Sequence, residues 1–352
     1  MTHDVLIMHR CLELAKQALG NTYPNPMVGS VLVVNNQIIG EGWHHQAGTP
    51  HSEVHAIGSV SDVSLLNKAT LYVSLEPCSH HGRTPPCADL IIQSGIPRVV
   101  VATLDPNPLV AGQGIQRLRD HGIEVIIGVL EAQARYLNRR FFTFHEQKRP
   151  YIVLKWAQSE DGFMAPTQQE MGQPFWLTGT LSRLRVHQWR TQEAAILVGT
   201  QTVLADNPSL TARDWAGNQP LRLFLDATGK VPSDAKLRIE PFNTLVFTQN
   251  KNYIETDFLK REICTFDQTL WTQLFRRLWE LGISSVLIEG GRHTLQSIID
   301  EQIWDEARIF TAPKTIQNGI KSPAIQGKII NRETIENDQL VYLHPYDYDH
   351  HF

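Results

Sequence analysis

The sequence predicts two consecutive α/β domains, and three observations carry that prediction. The chain has 352 residues, which at roughly 150 residues per domain makes about two folded units. Along both halves, apolar residues at helical spacing alternate with short β-branched runs, the pattern of layered α/β units. Midway, the polar stretch HEQKRP closes at Pro150 just before the apolar run YIVLKWA. That break places residues 1–147 in the first domain and 148–352 in the second.

Each element follows from local pattern. Val5 to Leu19 repeats apolar positions at helical spacing and stops at Gly20, the usual helix terminator. Val28 to Val34 and Gln37 to Gly42 read as a hairpin around Asn35-Asn36. A helix from about Pro50, a strand Thr70 to Leu75, a helix Pro86 to Ser94 and a strand Arg98 to Thr103 come next. Ile115 to Asp120 as helix, Glu124 to Gly128 as strand and one long helix from Glu131 towards Phe144 complete the first half. The second half offers helices Thr180 to Gln192, Thr269 to Leu281 and His293 to Asp300. Its strands are YIVLKWA, Ala194 to Gly199, Leu221 to Asp226, Thr244 to Thr248 and Ser285 to Ile288. The terminal YLHPYDYDHHF reads as an edge strand and a frayed tail, and no fixed-period repeat is found.

Composition removes several function classes. Hydrophobic residues at 42% and charged residues at 19% suit a packed core, not general disorder. Lys plus Arg number 32 against 36 Asp plus Glu, a net charge of -4, which gives no field for holding a polyanionic nucleic acid. No apolar run approaches the 18 or more residues of a membrane span. Charged residues interrupt MTHDVLIMHRCLELAK before any signal-peptide core forms, so a cytoplasmic address is expected. Cys11, Cys78, Cys87 and Cys264 are too few and too uneven for a disulfide framework.

Cys78 and Cys87 acquire a purpose beside GTPHSEVHA. Thr49 as N-cap and Pro50 in the first turn make His51 open a helix, with Glu53 two residues on. About 27 residues later, EPC puts Cys78 in the loop after a strand, and Pro86 places Cys87 at another helix start. One His and two Cys make three ligands, which leave the fourth tetrahedral position of zinc to water, as in catalytic sites. Lowering a water pKa from 15.7 to about 7 is worth roughly 12 kcal/mol towards hydroxide. Glu53, not needed as a ligand, is placed to carry a proton from that water to a departing amine. H-x-E followed by P-C-x-x-C marks zinc nucleobase deaminases; here eight residues separate the cysteines instead of two.

Most of the 15 histidines are expected to be ordinary. His44, His45, His80 and His81 flank the site and are better candidates for phosphate or ribose contacts than for metal. His55, four residues after His51, is an alternative second ligand. Asn25, between Pro24 and Pro26, either reads a base edge or shapes a turn.

In the second half no G-x-G-x-x-G follows a strand, so a Rossmann site is not supported. Glu289-Gly290-Gly291 turns from a strand into the helix near His293, where free amides suit a pyrophosphate, though a plain packing turn fits equally. Thr200, Thr202, Asp206 and Arg213 cluster in GTQTVLADNPSLTAR, after another strand.

NPMVGSVLV, GEGWHHQAGTPHSEVHA, LEPCSHHGRTPPCADLII and DPNPLVAGQGI together resemble the deaminase domain of the bifunctional RibD family of riboflavin biosynthesis. KWAQSEDG, WLTG, ILVGTQTVLADNPSLTAR and LIEGG resemble its reductase domain, so the resemblance covers nearly the whole chain. GRTPP between the cysteines is the family's own form of the signature. The resemblance implies a cytidine-deaminase-like three-layer α/β/α domain followed by a dihydrofolate-reductase-like α/β domain. It implies zinc-dependent deamination of a diaminopyrimidine ribonucleotide and NADPH-dependent reduction of its ribosyl group to ribityl. By the same matching, His51, Cys78 and Cys87 hold zinc, Glu53 moves the proton, and Asn25, His44 and Arg83 lie near the pyrimidine or phosphate. NADPH is expected near Ala157, Trp176, Thr202, Asp206, Gly290 and Gly291, and the substrate near Arg190, Leu210, Arg213 and Glu289. The two arginines suit its phosphate. A homo-oligomer acting on a small molecule is expected, with neither nucleic acid nor membrane as partner. Two positions depart from the family: Pro174 where a serine is usual, and Glu160 in place of leucine before Asp161-Gly162. The rival readings are a nucleic-acid-editing zinc deaminase with a non-catalytic second domain, and a zinc-stabilised binding protein.

Overall fold

A computed structural model describes residues 2–79, 85–107, 110–168 and 172–348. Contacts divide the chain into two compact units, the first ending at Lys148 and the second beginning at Arg149.

The first unit is built on β1 (Gly29–Val34), β2 (Gln37–Trp43), β3 (Thr70–Val73), β4 (Arg98–Val101) and β5 (Glu124–Ile127), flanked by α1 (His3–Lys16), α2 (Ser52–Gly58), α3 (Cys87–Gln93), α4 (Gln113–Asp120), α5 (Glu131–Leu137) and α6 (Arg139–Gln147). The strand order is β2-β1-β3-β4-β5. β1 is antiparallel to both neighbours, while β3, β4 and β5 are parallel. The β1–β2 turn uses Asn35 and Asn36 at φ 50° and 63°, the left-handed conformation that a tight hairpin needs and asparagine tolerates. Strand alternation sorts the core into two faces. Leu32, Leu71, Val73, Val99 and Val101 pack towards Ala56 of α2, Ile91 of α3 and Leu118 of α4. Val31, Val33, Tyr72 and Val100 pack against Met8, Cys11 and Leu14 of α1 and Ala134 of α5. The unit is therefore the three-layer α/β/α sandwich expected from the resemblance.

The second unit carries β6 (Tyr151–Ser159), β7 (Phe163–Pro166), α7 (Thr180–Gln192), β8 (Ala195–Val198), α8 (Thr200–Asp206), β9 (Leu221–Leu225), α9 (Lys236–Ile239), β10 (Thr244–Thr248), β11 (Leu259–Ile263), α10 (Leu270–Glu280), β12 (Ser285–Ile288), α11 (Arg292–Asp300), β13 (Glu306–Ala312), β14 (Gly319–Lys321), β15 (Lys328–Ile335) and β16 (Asp338–His344). Nine strands form one sheet in the order β11-β10-β9-β8-β12-β6-β13-β16-β15. The first seven of these run parallel, and β16 and β15 close the sheet antiparallel. β6, β8 and β12 are almost continuously buried, as parallel strands covered on both faces must be.

Three expectations are corrected. The long helix from Glu131 breaks at Asn138, which ends α5 and starts α6. Its buried amide turns away to bond one backbone unit: Met27 N–H donates to Asn138 Oδ1 and Asn138 Nδ2 donates to Met27 O, each at 2.8 Å. The helix over His51 begins two residues later than expected, at Ser52, with His51 extended as its N-cap. Thr49 is occupied elsewhere, its Oγ1 donating to Gln46 O at 2.7 Å. The segment that opens YLHPYDYDHHF lies in β16, which is next to the edge; β15 covers it and forms the edge.

Replacing Asn138 by Ala is expected to destabilise the first unit by about 2–4 kcal/mol, because two buried backbone groups lose their partners. A urea unfolding midpoint equal to that of the parent chain contradicts this role.

Candidate functional site

Residue His51 stands just before α2, Cys78 follows the end of β3, and Cys87 is the first residue of α3. Both helices lie on one face of the sheet, so their N-terminal ends converge beside the loop that leaves β3. His51 Nδ1 is 3.6 Å from Cys78 Sγ and 3.3 Å from Cys87 Sγ, and the three donor atoms lie within 4.8 Å of one another. The Cys87 N–H donates to Cys78 Sγ at 3.3 Å. The neighbouring Cys87 and His51 outweigh burial and push the Cys78 thiol down. The Cys87 thiol is pushed up by Cys78 and by burial. One imidazole nitrogen and two sulfurs, one already favoured as thiolate, are a donor set that fits zinc with three protein ligands.

Behind the donors sits Glu53, 3% exposed. Burial pushes its carboxyl up, with His51 opposing. Ser52 Oγ donates to Glu53 Oε2 at 3.0 Å and lies 2.7 Å from Ser30 Oγ on β1. His44 Nδ1 faces the Pro50 carbonyl at 3.1 Å. Since a carbonyl only accepts, that nitrogen carries the proton, and Nε2 accepts from Asn25 Nδ2 at 3.1 Å. Asn25 is thereby pinned with its amide oxygen unspent on His44. His55 is not in the donor cluster; its ring stacks on His45 with centroids 4.2 Å apart. Arg83, with His80 and His81, lies outside the described residues.

The sequence reading passed over Glu76. Its carboxylate accepts four backbone N–H groups: Gly112 and Asp105 on Oε2 at 2.9 and 3.3 Å, Gly114 and Ile115 on Oε1 at 2.9 and 3.3 Å. A carboxylate two residues before Cys78 thus fastens the metal loop to the start of α4. Gly114 is needed there, since a Cβ would collide with the Pro77 carbonyl. The signal available was the acid of EPC, a charge directly after a buried strand.

In the second unit a cavity of about 490 Å³ gathers most of the expected reductase residues. Ala157, Trp176, Thr202, Asp206 and Gly290 line it, as do Arg190, Leu210, Arg213 and Glu289. Gly291 is adjacent, where a Cβ would stand 3.2 Å from Thr202 Oγ1. Pro174 also lines the cavity. Glu289, just past β12, is gripped by Arg190: Nε donates to Oε1 and Nη2 to Oε2, both at 2.9 Å. Lys155 Nζ is 3.7 Å from Glu289 Oε2. Burial alone would raise the Glu289 carboxyl, but Arg190 and Lys155 outweigh it and hold it at about 2. Lys155 was missed, although a lone cation inside YIVLKWA is a visible signal for a paired buried charge.

Two family models match the sequence. The cytidine and deoxycytidylate deaminase zinc-binding region covers residues 1–103, and the RibD C-terminal domain covers 150–335. The riboflavin biosynthesis protein RibD of Aquifex aeolicus is 45% identical over 322 residues, 90% of this chain and 89% of that protein. Its counterpart in Escherichia coli is 36% identical over 89% of this chain and 88% of that protein. The chain belongs to the RibD family. Among solved structures of the family, a diaminohydroxyphosphoribosylaminopyrimidine deaminase/5-amino-6-(5-phosphoribosylamino)uracil reductase from Thermotoga maritima superposes with a TM-score of 0.88 at 38% identity, over 97% of this chain and 99% of that one. RibD of Acinetobacter baumannii gives 0.89 at 34%, with the same coverage.

Two outcomes check this geometry. Glu76→Ala leaves four amides without their acceptor, and zinc affinity measured by chelator competition is expected to fall at least about tenfold, the range seen when a ligand's support is removed; unchanged affinity contradicts the anchoring role. Glu289 has a folded value below its ordinary 4.5, so its contribution is present above that pH and is lost as pH falls from 4.5 through about 2. That contribution is roughly 3 kcal/mol. Urea midpoints followed by a probe in the second unit should drop over this window in the parent chain and show a shallower drop in Glu289→Gln.

Proposed function

We propose that residues 1–147 deaminate 2,5-diamino-6-ribosylamino-4(3H)-pyrimidinone 5′-phosphate by hydrolysis. Residues 148–352 then reduce the ribosyl group of the product with NADPH, giving 5-amino-6-ribitylamino-uracil 5′-phosphate. The observation that carries this reading is the convergence of His51, Cys78 and Cys87, with their donor atoms within 4.8 Å, beside a buried Glu53 that such a cluster does not need as a ligand. A purely structural zinc site has no use for that carboxyl, and the matched reductase half speaks against an editing deaminase with an idle second domain.

Zinc, when bound, supplies the Lewis acidity that makes water nucleophilic at neutral pH. Glu53 accepts the proton from that water and delivers it to the amine that leaves as ammonia. A carboxyl whose burial favours the protonated form is suited to the second half of that task. His44 and Asn25, locked to each other, present an amide oxygen to the pyrimidine edge, and Arg83 is assigned to the substrate by its place in the motif.

For the second step NADPH, when bound, supplies the reducing equivalents. Thr202, Asp206, Ala157, Trp176, Gly290 and Gly291 would hold it. The chain fits such a group: α8 and α11 begin after Gly199 and Gly291 with no side-chain cap, which leaves first-turn amides for a diphosphate. Arg190, Leu210, Arg213 and Glu289 are assigned to the substrate. The net charge of -4 supports a small-molecule substrate over a nucleic acid. No helix among the described residues is long and apolar enough to cross a membrane. Four cysteines without disulfides support residence in the reducing cytoplasm, and a homo-oligomeric state is part of the reading through the family resemblance.

Glu53→Gln is expected to retain zinc while ammonia release falls by at least about a hundredfold, the scale of lost general acid–base help. Ammonia release at the parent rate overturns the proton-transfer role.

A further inference from the structure

Leu210 lines the cavity of the second unit with its backbone at φ 55°, and Asn207, three residues earlier on the same wall, stands at 41°. Asparagine tolerates that left-handed region, whereas a leucine, here 2% exposed, adopts it at a cost of roughly 1–2 kcal/mol. Such strain persists only where the surroundings over-determine the backbone. Residues 207–210 must therefore be held from outside the wall they form.

Arg222, on β9 and 1% exposed, supplies that hold. Its Nη1 donates to Ser209 O at 3.1 Å and to Glu240 Oε2 at 2.9 Å. Nη2 donates to the Glu240 and Phe242 carbonyls at 3.1 and 3.0 Å and to Thr244 Oγ1 at 2.7 Å, and Nε donates to Thr244 Oγ1 at 2.9 Å. Glu240 adds a second grip, since its Oε1 accepts from Ser209 Oγ at 2.8 Å. The Ser209 carbonyl and the Leu210 nitrogen share one planar peptide unit, so fixing that carbonyl constrains φ at Leu210. Tethers also flank the strained residue: Asn207 Oδ1 accepts the Lys236 N–H, and Thr211 O accepts from Arg190 Nη1, both at 2.9 Å. A pair built on a buried guanidinium adds little net stability, and its best attested use is to select one arrangement. Arg222, Glu240 and Thr244 are all absent from the cavity lining, so any effect they have on the site must pass through the wall.

We propose that Arg222 is a positioning residue of the reductase: with Glu240 it fixes the Ser209–Leu210 peptide unit, holds Leu210 in its left-handed conformation, and so sets the wall against which the substrate binds. Without this grip the peptide unit turns and Leu210 relaxes to an ordinary conformation, which changes the shape of the wall. The inference rests on the reductase reading above, which assigns Leu210 to the substrate, and names the device that shapes that contact.

The test uses the full chain with NADPH and the deaminated ribosylaminopyrimidine 5′-phosphate. Glu240→Ala is expected to raise KM for that substrate about tenfold, equivalent to about 1.4 kcal/mol, with kcat changing less than about threefold and KM for NADPH less than about twofold. Thr244→Val, which removes one acceptor of the guanidinium and keeps the side-chain volume, should raise the same KM at least about threefold. Position 210 reads the backbone directly, because alanine and glycine both lack the leucine side chain and only glycine enters the left-handed region freely. With Glu240 intact, Leu210→Ala and Leu210→Gly should share one KM to within about twofold; in the Glu240→Ala background the glycine variant should bind at least about threefold better than the alanine variant. An unchanged KM in either Glu240→Ala or Thr244→Val, a loss confined to kcat, a rise shared equally by NADPH, or equal KM values for the two variants at 210 in the Glu240→Ala background overturns the proposal. A parent chain that oxidises no NADPH with this substrate removes the reductase reading itself, and this inference with it.

Discussion

Placing two cysteine sulfurs and an imidazole nitrogen within 4.8 Å requires backbone that brings them in from three directions and a field that tolerates thiolate. The first unit meets both needs at the ends of its elements. Two helices on one sheet face start at the same place, and a thiolate at a helix start gains from the unpaired amides there. The third approach is a loop, and loops are where geometry is most easily lost. Glu76 answers that weakness by collecting four amides, two ahead of α4 and two in its first turn, which stiffens the backbone around Cys78. The chemistry assigned to Glu53 depends on this frame, because a proton can be passed only to and from a fixed point.

The second unit uses the same general placement with different chemistry. Glu289 follows β12, Thr200 and Thr202 follow β8, and both strands are parallel members of one sheet. Crevices at the carboxyl ends of parallel strands are where α/β proteins bind ligands. Here the crevice is organised around a buried carboxylate that would be costly alone. Arg190 and Lys155 keep it ionised.

Much of this was legible in the sequence because the signals were local. Asn35-Asn36 announced a hairpin, Pro86 announced the start of α3, and the order H-x-E, P-C, C pointed to the three donors that the fold brings together. What escaped depended on partners distant in the chain. Asn138 breaks a helix only because Met27, 111 residues away, presents a backbone unit to its amide. Thr49 is the local exception, its hydroxyl taken by the Gln46 carbonyl only three residues back. β13, β14 and β15 have no expected counterpart, and β16 reads as an edge because the sequence does not say which strand it will lie beside. The commitment of Arg190 to Glu289, 99 residues on, was equally invisible.

The first coordination sphere of the metal decides whether a solvent position is open for hydrolysis. X-ray absorption at the zinc edge of the zinc-loaded full chain should show two sulfur scatterers near about 2.3 Å, one imidazole, and one further light atom from solvent. Three or more sulfurs, two imidazoles, or a sphere filled entirely by protein groups would contradict it.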